Sequence, residues 1–488
     1  MAVMLLALVA PCAAVAQGHV IEAPVIIWSA PMNLSASPEV SIHPEVVADR
    51  SGYVHVLWSE DVGGRPPVGT EVLWHGDSVG YRQWDGLRWT PPVDVLHVEG
   101  DPAADFVAAA VDSSNRLHVV WMGQSAFYYS SAPTLKAASA QEWTPIVALA
   151  ASNLTLYPLD IAADSQGGLY AALSSSDGVV SCMRSLDGGQ TWERPVVVSG
   201  SLGALERSIS NVRLLVDRAD RLHATWQTDQ EQGYGQAVYY ARSVDGGESW
   251  STPFQLAYRD LGDTFCEWPV LAARGADELH VIYVDGWHVG RWHRISRDAG
   301  VTWDPPQQII TSMEGINGFV TPVVDGAEQL HLIINMRTRA QSHGVYWATW
   351  LGEVWSQVRV ADNVSVGAAS SHYTDAAVAL GNELHVVYTQ NDGGEIWHVS
   401  GLISNAPRQA GLPRPAQIVP RATPQPASTG AGLPASEARQ PSPLLGAAPF
   451  SHGAIGDEHA AALGVAGALL VVGIAAALHL IRSHARAR

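Results

Sequence analysis

VRLLVDRADRLHATW, residues 212–226, is the stretch that decides the fold of this 488-residue chain. It contains an apolar strand, a polar turn that starts at Asp217, and a second strand with His223 near its middle. Two strands joined by a short polar turn are typical of an antiparallel hairpin. Six further copies follow the same pattern, one of them with Tyr170 in place of His: PEVVADRSGYVHVLW (44–58), VAAAVDSSNRLHVVW (107–121), LDIAADSQGGLYAAL (159–173), VLAARGADELHVIY (270–283), TPVVDGAEQLHLII (321–334) and DAAVALGNELHVVY (375–388).

The distance between successive copies predicts the size of the repeating unit. The marked His or Tyr residues lie 51 to 63 positions apart, which suits one four-stranded propeller blade for each repeat. A second repeated element is a Trp that is usually followed closely by Pro and then by an alternating strand. It occurs at Trp28, Trp89, Trp143, Trp192, Trp250, Trp303 and, in a degenerate copy without the Pro, at Trp355.

The two repeated elements are offset by one strand at the ends of the ring. Trp28 stands before the first hairpin, whereas no such strand follows the last hairpin and its third strand. We therefore predict an all-β fold, a β-propeller of seven four-stranded blades over residues 24–403, with six blades as the alternative. The N-terminal strand, Val25–Leu34, should complete the last blade beside Glu395–Ser400, because such closure removes exposed sheet edges.

Composition agrees with this class and limits the partners. The chain has 45 Gly, 29 Pro and 18 Trp, and only 15% of its residues are charged, which suits short strands and tight turns. Its formal net charge of -19 would repel phosphate backbones, so nucleic acid is not an expected partner. One Lys, Lys136, and abundant Ala indicate a GC-rich bacterial genome. Cys182 and Cys266 cannot form a disulfide framework, although one bridge between them stays open.

The two ends of the chain predict its location. Residues 1–16 are an apolar stretch that ends in Ala14-Val15-Ala16, the small-x-small pattern of a signal-peptidase site. Residues 460–481 contain 22 residues without an acidic or strongly basic side chain, enough to cross a hydrocarbon core of about 30 Å as a helix. Asp457 and Glu458 precede this segment and arginines follow it, so the tail 482–488 should be cytoplasmic. We expect a single-pass cell-membrane protein with its ring outside.

The segment between the ring and the membrane helix has a different composition. Residues 404–451 are rich in Pro, Ala, Gly, Ser and Gln, and they nearly lack aromatic side chains. Such a segment cannot bury enough apolar area to fold alone. We predict a disordered stalk, in which the spaced prolines favour extended polyproline II conformations.

Three units carry a sharper motif, Ser-x-Asp-x-Gly-x-x-Trp, between their third and fourth strands. The Asp can accept backbone hydrogen bonds, the Gly can adopt a left-handed conformation, and the Trp can pack the turn onto its blade. The motif resembles the Asp-box of the sialidase-like, or BNR-repeat, β-propeller superfamily. The resemblance implies a structural role on the face opposite the ligand-binding end for Ser185, Asp187, Gly189, Trp192, Ser243, Asp245, Gly247, Trp250, Ser296, Asp298, Gly300 and Trp303.

The resemblance also implies what a sialidase would need. Sialidases hold the substrate carboxylate with three arginines and use a Tyr nucleophile, a Glu and an Asp acid/base. The first of those arginines stands in an Arg-Ile-Pro motif, and no Arg-Ile-Pro occurs in this sequence, where the corresponding strand reads His43-Pro-Glu-Val-Val. The sequence favours a non-catalytic surface module that binds a glycan or an envelope protein. The alternative is an exo-sialidase or related glycoside hydrolase with a divergent active site.

Ligand-binding residues are expected in the loops that leave the second strand of each blade and in the loops between blades. The candidates there are Glu60, Asp61, Arg65, Arg259, Asp285, Trp287, Arg337 and Arg339. The repeated His residues should pack or bond turns, because residues spread around a ring cannot share one metal ion. The sequence assigns no catalytic residue, cofactor or metal.

Overall fold

A computed structural model describes residues 23–61, 76–152, 158–174, 178–200, 209–230, 235–259, 266–286, 289–314, 320–338, 343–363, 373–390 and 394–413. These residues form strands, together with two short 3-10 helices at Thr134–Lys136 and Ala140–Glu142. No helix in the described ranges is long and apolar enough to span a membrane. The predicted leader and the predicted span at 460–481 lie outside these ranges.

Seven antiparallel blades follow one another along the chain, and blades 5 and 6 are joined into one eight-stranded sheet where Gln307–Glu314 pairs with Leu330–Thr338. The predicted seven-bladed propeller is therefore confirmed and the six-bladed alternative is not. In each blade the strands pair in chain order, from the first strand at the centre to the fourth strand outside. Blades 1 to 4 consist of Ser41–Ala48, Val54–Glu60, Ser78–Trp84 and Val93–Leu96; Asp105–Val111, Arg116–Met122, Ala126–Pro133 and Val147–Ala151; Leu159–Ala163, Leu169–Ser174, Val180–Ser185 and Val196–Val197; and Ile209–Val216, Leu222–Asp229, Gly235–Ser243 and Phe254–Tyr258.

Blades 5 to 7 complete the ring. They consist of Cys266–Arg274, Glu278–Asp285, Val289–Ser296 and Gln307–Glu314; Val320–Val324, Leu330–Thr338, His343–Thr349 and Arg359–Asn363; and Thr374–Ala379, Glu383–Gln390 and Glu395–Ile403. The outer strand of blade 7 comes from the other end of the chain, as Ile26–Trp28 followed by Met32–Asn33. The predicted closure is therefore confirmed, although the pairing runs over Trp397–Ile403 and passes the predicted end at Ser400.

The hydrophobic core lies between neighbouring blades. Every residue of the second strands Val54–Glu60 and Leu222–Asp229 is buried, because both faces of these strands meet another sheet. One apolar cluster joins Leu57 and Tyr81 of blade 1 to Trp121 of blade 2. The two described cysteines are buried and free, so the bridge that the sequence left open does not form.

The ring has two distinct faces. The lower face carries the tight turns from first to second strands and from third to fourth strands, including the Asp-boxes. The upper face carries the connections from second to third strands and those between blades. After the last strand, the chain lies along the lower face, where Gln409 N donates to Leu380 O at 2.8 Å and Arg408 pairs with Glu383. Contacts with the ring thus continue into the segment that was assigned to the stalk.

A hydrogen-bonded relay holds the lower turn of most blades. In blade 4, Asp217 Oδ1 accepts the backbone N–H groups of Ala219 and Arg221 at 2.8 and 3.0 Å. Its other oxygen lies 3.0 Å from His223 Nε2, and His223 Nδ1 lies 2.7 Å from the Tyr240 hydroxyl. The repeated His therefore bonds the turn on one side and the third strand on the other. The corresponding Asp residues are Asp49, Asp112, Asp164 and Asp325.

The far end of the relay contacts the next blade. Tyr129 of blade 2 meets Trp192 of blade 3 edge to face at 5.0 Å, and Tyr240 of blade 4 meets Trp303 of blade 5 at 4.9 Å. Gly189 of the Asp-box has φ of +88°, and a Cβ there would overlap the Tyr129 hydroxyl. In both pairs of blades, the Tyr that bonds the repeated His of one blade also packs against the repeated Trp of the next blade.

Candidate functional site

A cavity of about 470 Å³ follows the central channel and is lined by the first strands of all seven blades. Each first strand places one residue at the same depth, two positions before the cross-strand partner of the repeated His or Tyr. In blade 4, for example, Leu215 pairs with His223 and the residue at this depth is Arg213. We call this set the channel ring: Glu45, Ala108, Asp160, Arg213, Val270, Thr321 and Asp375.

The carboxylates of the channel ring connect neighbouring blades. Asp375 of blade 7 accepts the Val46 N–H of blade 1 at 2.8 Å, across the seam where the ring closes. Glu45 accepts the Ala109 N–H at 3.2 Å, and Asp160 accepts the Leu214 N–H at 2.8 Å. The three acidic side chains are only half-buried, so they also face the open cavity.

The environment of the channel ring disfavours the ionised form of its acids. Burial raises the pKa of Glu45 well above its usual range, and the neighbouring carboxylates of Asp375 and Asp160 raise it further. Burial raises the pKa of Asp375 to about 6. The pKa of Asp160 is also raised by burial, against the opposing charge of Arg213. Three acids and one guanidinium are the titratable carboxylates and the cation in the described lining, so acidic groups outnumber basic ones in the channel ring.

Aromatic side chains stand above the channel ring, toward the upper face. The imidazole of His43 stacks on Phe106 with ring centroids 4.3 Å apart and meets the edge of Tyr373 at 4.5 Å. All three residues line the cavity, and we call them the channel mouth. His43 and Phe106 have φ of 51° and 49°, at β-bulges in their strands. Positive φ is unfavourable for bulky residues, and bulges of this kind redirect side chains beside binding sites.

The Asp-box turns are closed structures on the opposite face. In blade 3, Asp187 accepts hydrogen bonds from the Ser185 hydroxyl at 2.8 Å and from the Thr191 hydroxyl at 2.6 Å. The Ser185 oxygen in turn accepts the Gly189 N–H at 2.9 Å. The bonds from Thr191 lower the pKa of Asp187 to about 2. The turns at Asp245 and Asp298 have the same bonds.

The family model of the BNR repeat-like domain matches residues 171–419, which is more than half of the chain and includes the three Asp-boxes. The chain belongs to the BNR repeat-like domain family. This membership confirms the sialidase-like, Asp-box superfamily that the three motifs predicted. None of the curated proteins compared with the chain matches it.

Several solved structures resemble this BNR repeat-like protein. The BP39L lectin from Burkholderia pseudomallei has 16% identity and a TM-score of 0.52, over 77% of this chain and 99% of that chain. An ulvan lyase of polysaccharide lyase family PL25 has 11% identity and a TM-score of 0.51, over 76% of this chain and 95% of that chain. A Hadza microbial sialidase has 15% identity and a TM-score of 0.44, over 74% of this chain and 65% of that chain. At these identities the likeness shows the fold alone.

Four of the predicted ligand residues of the BNR repeat-like domain are described with their side chains, and all four lie outside the central cavity. Arg259 and Asp285 form an ion pair with each other where blades 4 and 5 adjoin. Glu60 is buried, and it accepts the Ser41 hydroxyl at 2.6 Å; Asp61 follows it at the end of the same strand. None of these four lines the cavity. Arg337 is described only through its backbone pairing, and the remaining candidates lie outside the described ranges, namely Arg65, Trp287 and Arg339.

Sequence reasoning missed the acidic and basic residues of the channel ring. They stand inside first strands, whereas the predicted ligand residues lie in loops. A signal for them does exist in the sequence. When the seven repeats are aligned on the marked His or Tyr, one column reads Glu, Ala, Asp, Arg, Val, Thr, Asp within strands that are otherwise mostly apolar.

Proposed function

We propose that this protein is a non-catalytic binding module of a bacterial cell surface, which holds a glycan or a surface protein at the upper face of its ring. The charge of the channel ring carries the proposal. A sialidase-type site surrounds a sugar carboxylate with several guanidinium groups, whereas the described lining has one, Arg213, beside three carboxylates. Such a channel repels an anionic sugar. A concave site with aromatic walls and a few polar groups is nevertheless typical of ligand binding.

The test is an activity assay paired with a binding assay. The purified full-length protein should leave a fluorogenic sialoside intact, while an array of neutral glycans and surface proteins should reveal a saturable ligand. Loss of that ligand in a His43→Ala variant, with an unchanged melting temperature, would locate binding at the channel mouth. Absence of any ligand on the array, together with hydrolysis of the sialoside, would reject the proposal.

One observation favours a second candidate, an exo-sialidase or related glycoside hydrolase. Tyr373, Glu45 and Arg213 line the same cavity, and they are the residue types of a sialidase nucleophile, its activating acid and one part of its clamp. This candidate predicts turnover of a sialoside that a Tyr373→Phe variant abolishes without a loss of folding. Intact sialoside with the wild-type protein would exclude it.

We further propose that a C-terminal helix at 460–481 anchors the protein in the membrane, with the ring outside and the tail 482–488 in the cytoplasm. The uncharged segment and its trailing arginines support this. Protease added to intact cells should release the ring and leave an epitope placed after Arg488 protected. Loss of the epitope with retention of the ring would reverse the orientation.

A further inference from the structure

The channel mouth and the channel ring are two levels of one cavity. His43 and Glu45 stand two residues apart on the first strand of blade 1, and Tyr373 and Asp375 stand two residues apart in blade 7. Two residues of a regular strand span about 6.6 Å, which applies to Tyr373 and Asp375, where no bulge intervenes. That depth is close to the length of an extended lysine side chain. A long, thin side chain that enters at the aromatic level would therefore bring its end group to the carboxylates.

The chemistry of the two levels suits a cationic end group on an apolar stem. A carboxylate offers about four acceptor positions, and the bond from the Val46 N–H uses one of those of Asp375. The acidic side chains remain accessible from the cavity, where Arg213 alone balances them in the described lining. Aromatic faces such as that of Phe106 also attract cations. An entering ammonium or guanidinium would supply the charge that the channel ring lacks.

We propose that the channel binds a Lys or Arg side chain from an exposed segment of a partner protein. The stem lies against the channel mouth, and the cationic head lies among Glu45, Asp160 and Asp375. This inference rests on the proposed function, since it names the ligand of the same site. A protein side chain is the proposed ligand, and an amino sugar is the alternative that the test distinguishes. The net charge of -19 also favours a basic partner.

The test uses purified full-length protein and two probes that share a stem and differ in charge, Nα-acetyl-lysine amide and Nα-acetyl-norleucine amide. Calorimetry or ligand-observed NMR should show the lysine probe binding at least about tenfold more tightly, and Asp375→Asn should weaken it by at least about tenfold. Equal affinities for the two probes would overturn the proposal. Glucosamine serves as a third probe, and binding of glucosamine as tight as that of the lysine probe would also overturn it.

Two further variants control for the loss of any one carboxylate and for misfolding of Asp375→Asn. Asp187→Asn removes a carboxylate from the lower face and should leave the affinity for the lysine probe unchanged. Arg213→Gln removes the cation of the channel ring and should tighten binding of the lysine probe. If Asp375→Asn does not fold, Arg213→Gln decides, because an unchanged or weaker affinity there contradicts the proposal.

The outcomes also separate this inference from the proposed function. A glycan or protein that binds the wild-type upper face and is insensitive to Asp375→Asn would support the binding module and reject the cationic channel. Failure of the lysine probe together with failure of every arrayed ligand would reject both.

Discussion

The lower face and the channel hold their carboxylates in opposite ways. On the lower face, hydrogen bonds from Thr191 and Thr302 lower the pKa values of Asp187 and Asp298 to about 2, and the same turn occurs in three blades. In the channel, burial raises the pKa of Asp375 to about 6, and the residue at this depth differs from blade to blade. Repeated, fully bonded acids stabilise the fold. The crowded acids of the channel differ from blade to blade and lower the stability of the fold when they ionise, which is typical of a functional site.

The strongest test of this comparison opens the ring, because closure brings Asp375 of blade 7 to blade 1. A variant that begins after Leu34 loses the closing strand, including the buried side chains of Ile26 and Leu34. Burial of two such side chains contributes about 3 to 6 kcal/mol, apart from the backbone pairs. We expect broad, early thermal unfolding. A variant that begins at Gln17 is the control and should melt like the full chain; equal melting of the two variants would contradict the closure.

The next largest effect should come from removing the His of a complete relay on the lower face. His223→Ala leaves the Tyr240 hydroxyl and one oxygen of Asp217 without their His partner, at a cost of about 2 to 4 kcal/mol in unfolding free energy. His385 is the matched position in blade 7, where Nε2 has no hydrogen-bond partner among the described residues. His385→Ala should therefore cost about 1 kcal/mol less in urea unfolding. Equal costs would show that the relay adds nothing beyond apolar burial.

The channel acids should make stability depend on pH. The pKa of Asp375 rises from 3.8 to about 6 on folding, so the folded state keeps a proton that the unfolded chain has lost between these values. The free energy of unfolding therefore falls as pH rises from about 4 to about 6 and stays lower above that range. Asp375→Asn should flatten this slope and raise stability at pH 8 by on the order of 1 kcal/mol, because channel water screens the charge. Glu45 and Asp160, whose pKa values are also raised, should retain part of the slope.

Asp187→Asn is the control for the sign of this effect. The pKa of Asp187 is lowered on folding, so its contribution is present above pH 4 and is lost as pH falls toward 2. The variant should be less stable than wild type at neutral pH and equal to it near pH 2. Parallel pH profiles for the two variants, measured by melting temperature, would remove the distinction between the two regions.

The smallest effect should come from a single Asp-box. Asp245→Ala removes the acceptor for the Ser249 N–H and hydroxyl and for the Ser243 hydroxyl. Ser249 is exposed and its groups can bond to water, whereas Ser243 is buried. The loss should therefore be about 1 kcal/mol, or roughly 2 °C in melting temperature. Ligand binding at the channel should not change. A melting temperature equal to that of wild type would count against a structural role for the box.

The repeated sequence elements predicted the blades and their closure, whereas the channel ring, whose residue differs from blade to blade, was not predicted. Seven hairpins and seven Trp elements determine the blade count and the closure, because each copy reports the same local structure. The register of the closing strand was less predictable, since Ile26–Trp28 is too short to identify its partners. The channel ring could not be found from one strand, because nothing in a single strand shows that Asp160 or Arg213 faces the centre. Only the alignment of seven strands around a closed ring reveals that level.

Closure by the first strand also affects how the protein is made. Val25 and Ser404 form a hydrogen bond across 379 residues. The N-terminal strand therefore cannot pair until nearly the whole ring has been synthesised. Contacts of such long sequence separation form slowly, because the entropy of a long loop must be overcome first. During that interval both ends of the unfinished ring expose unpaired strand edges, where chains aggregate. Formation of the final blade is therefore the step that removes these exposed edges.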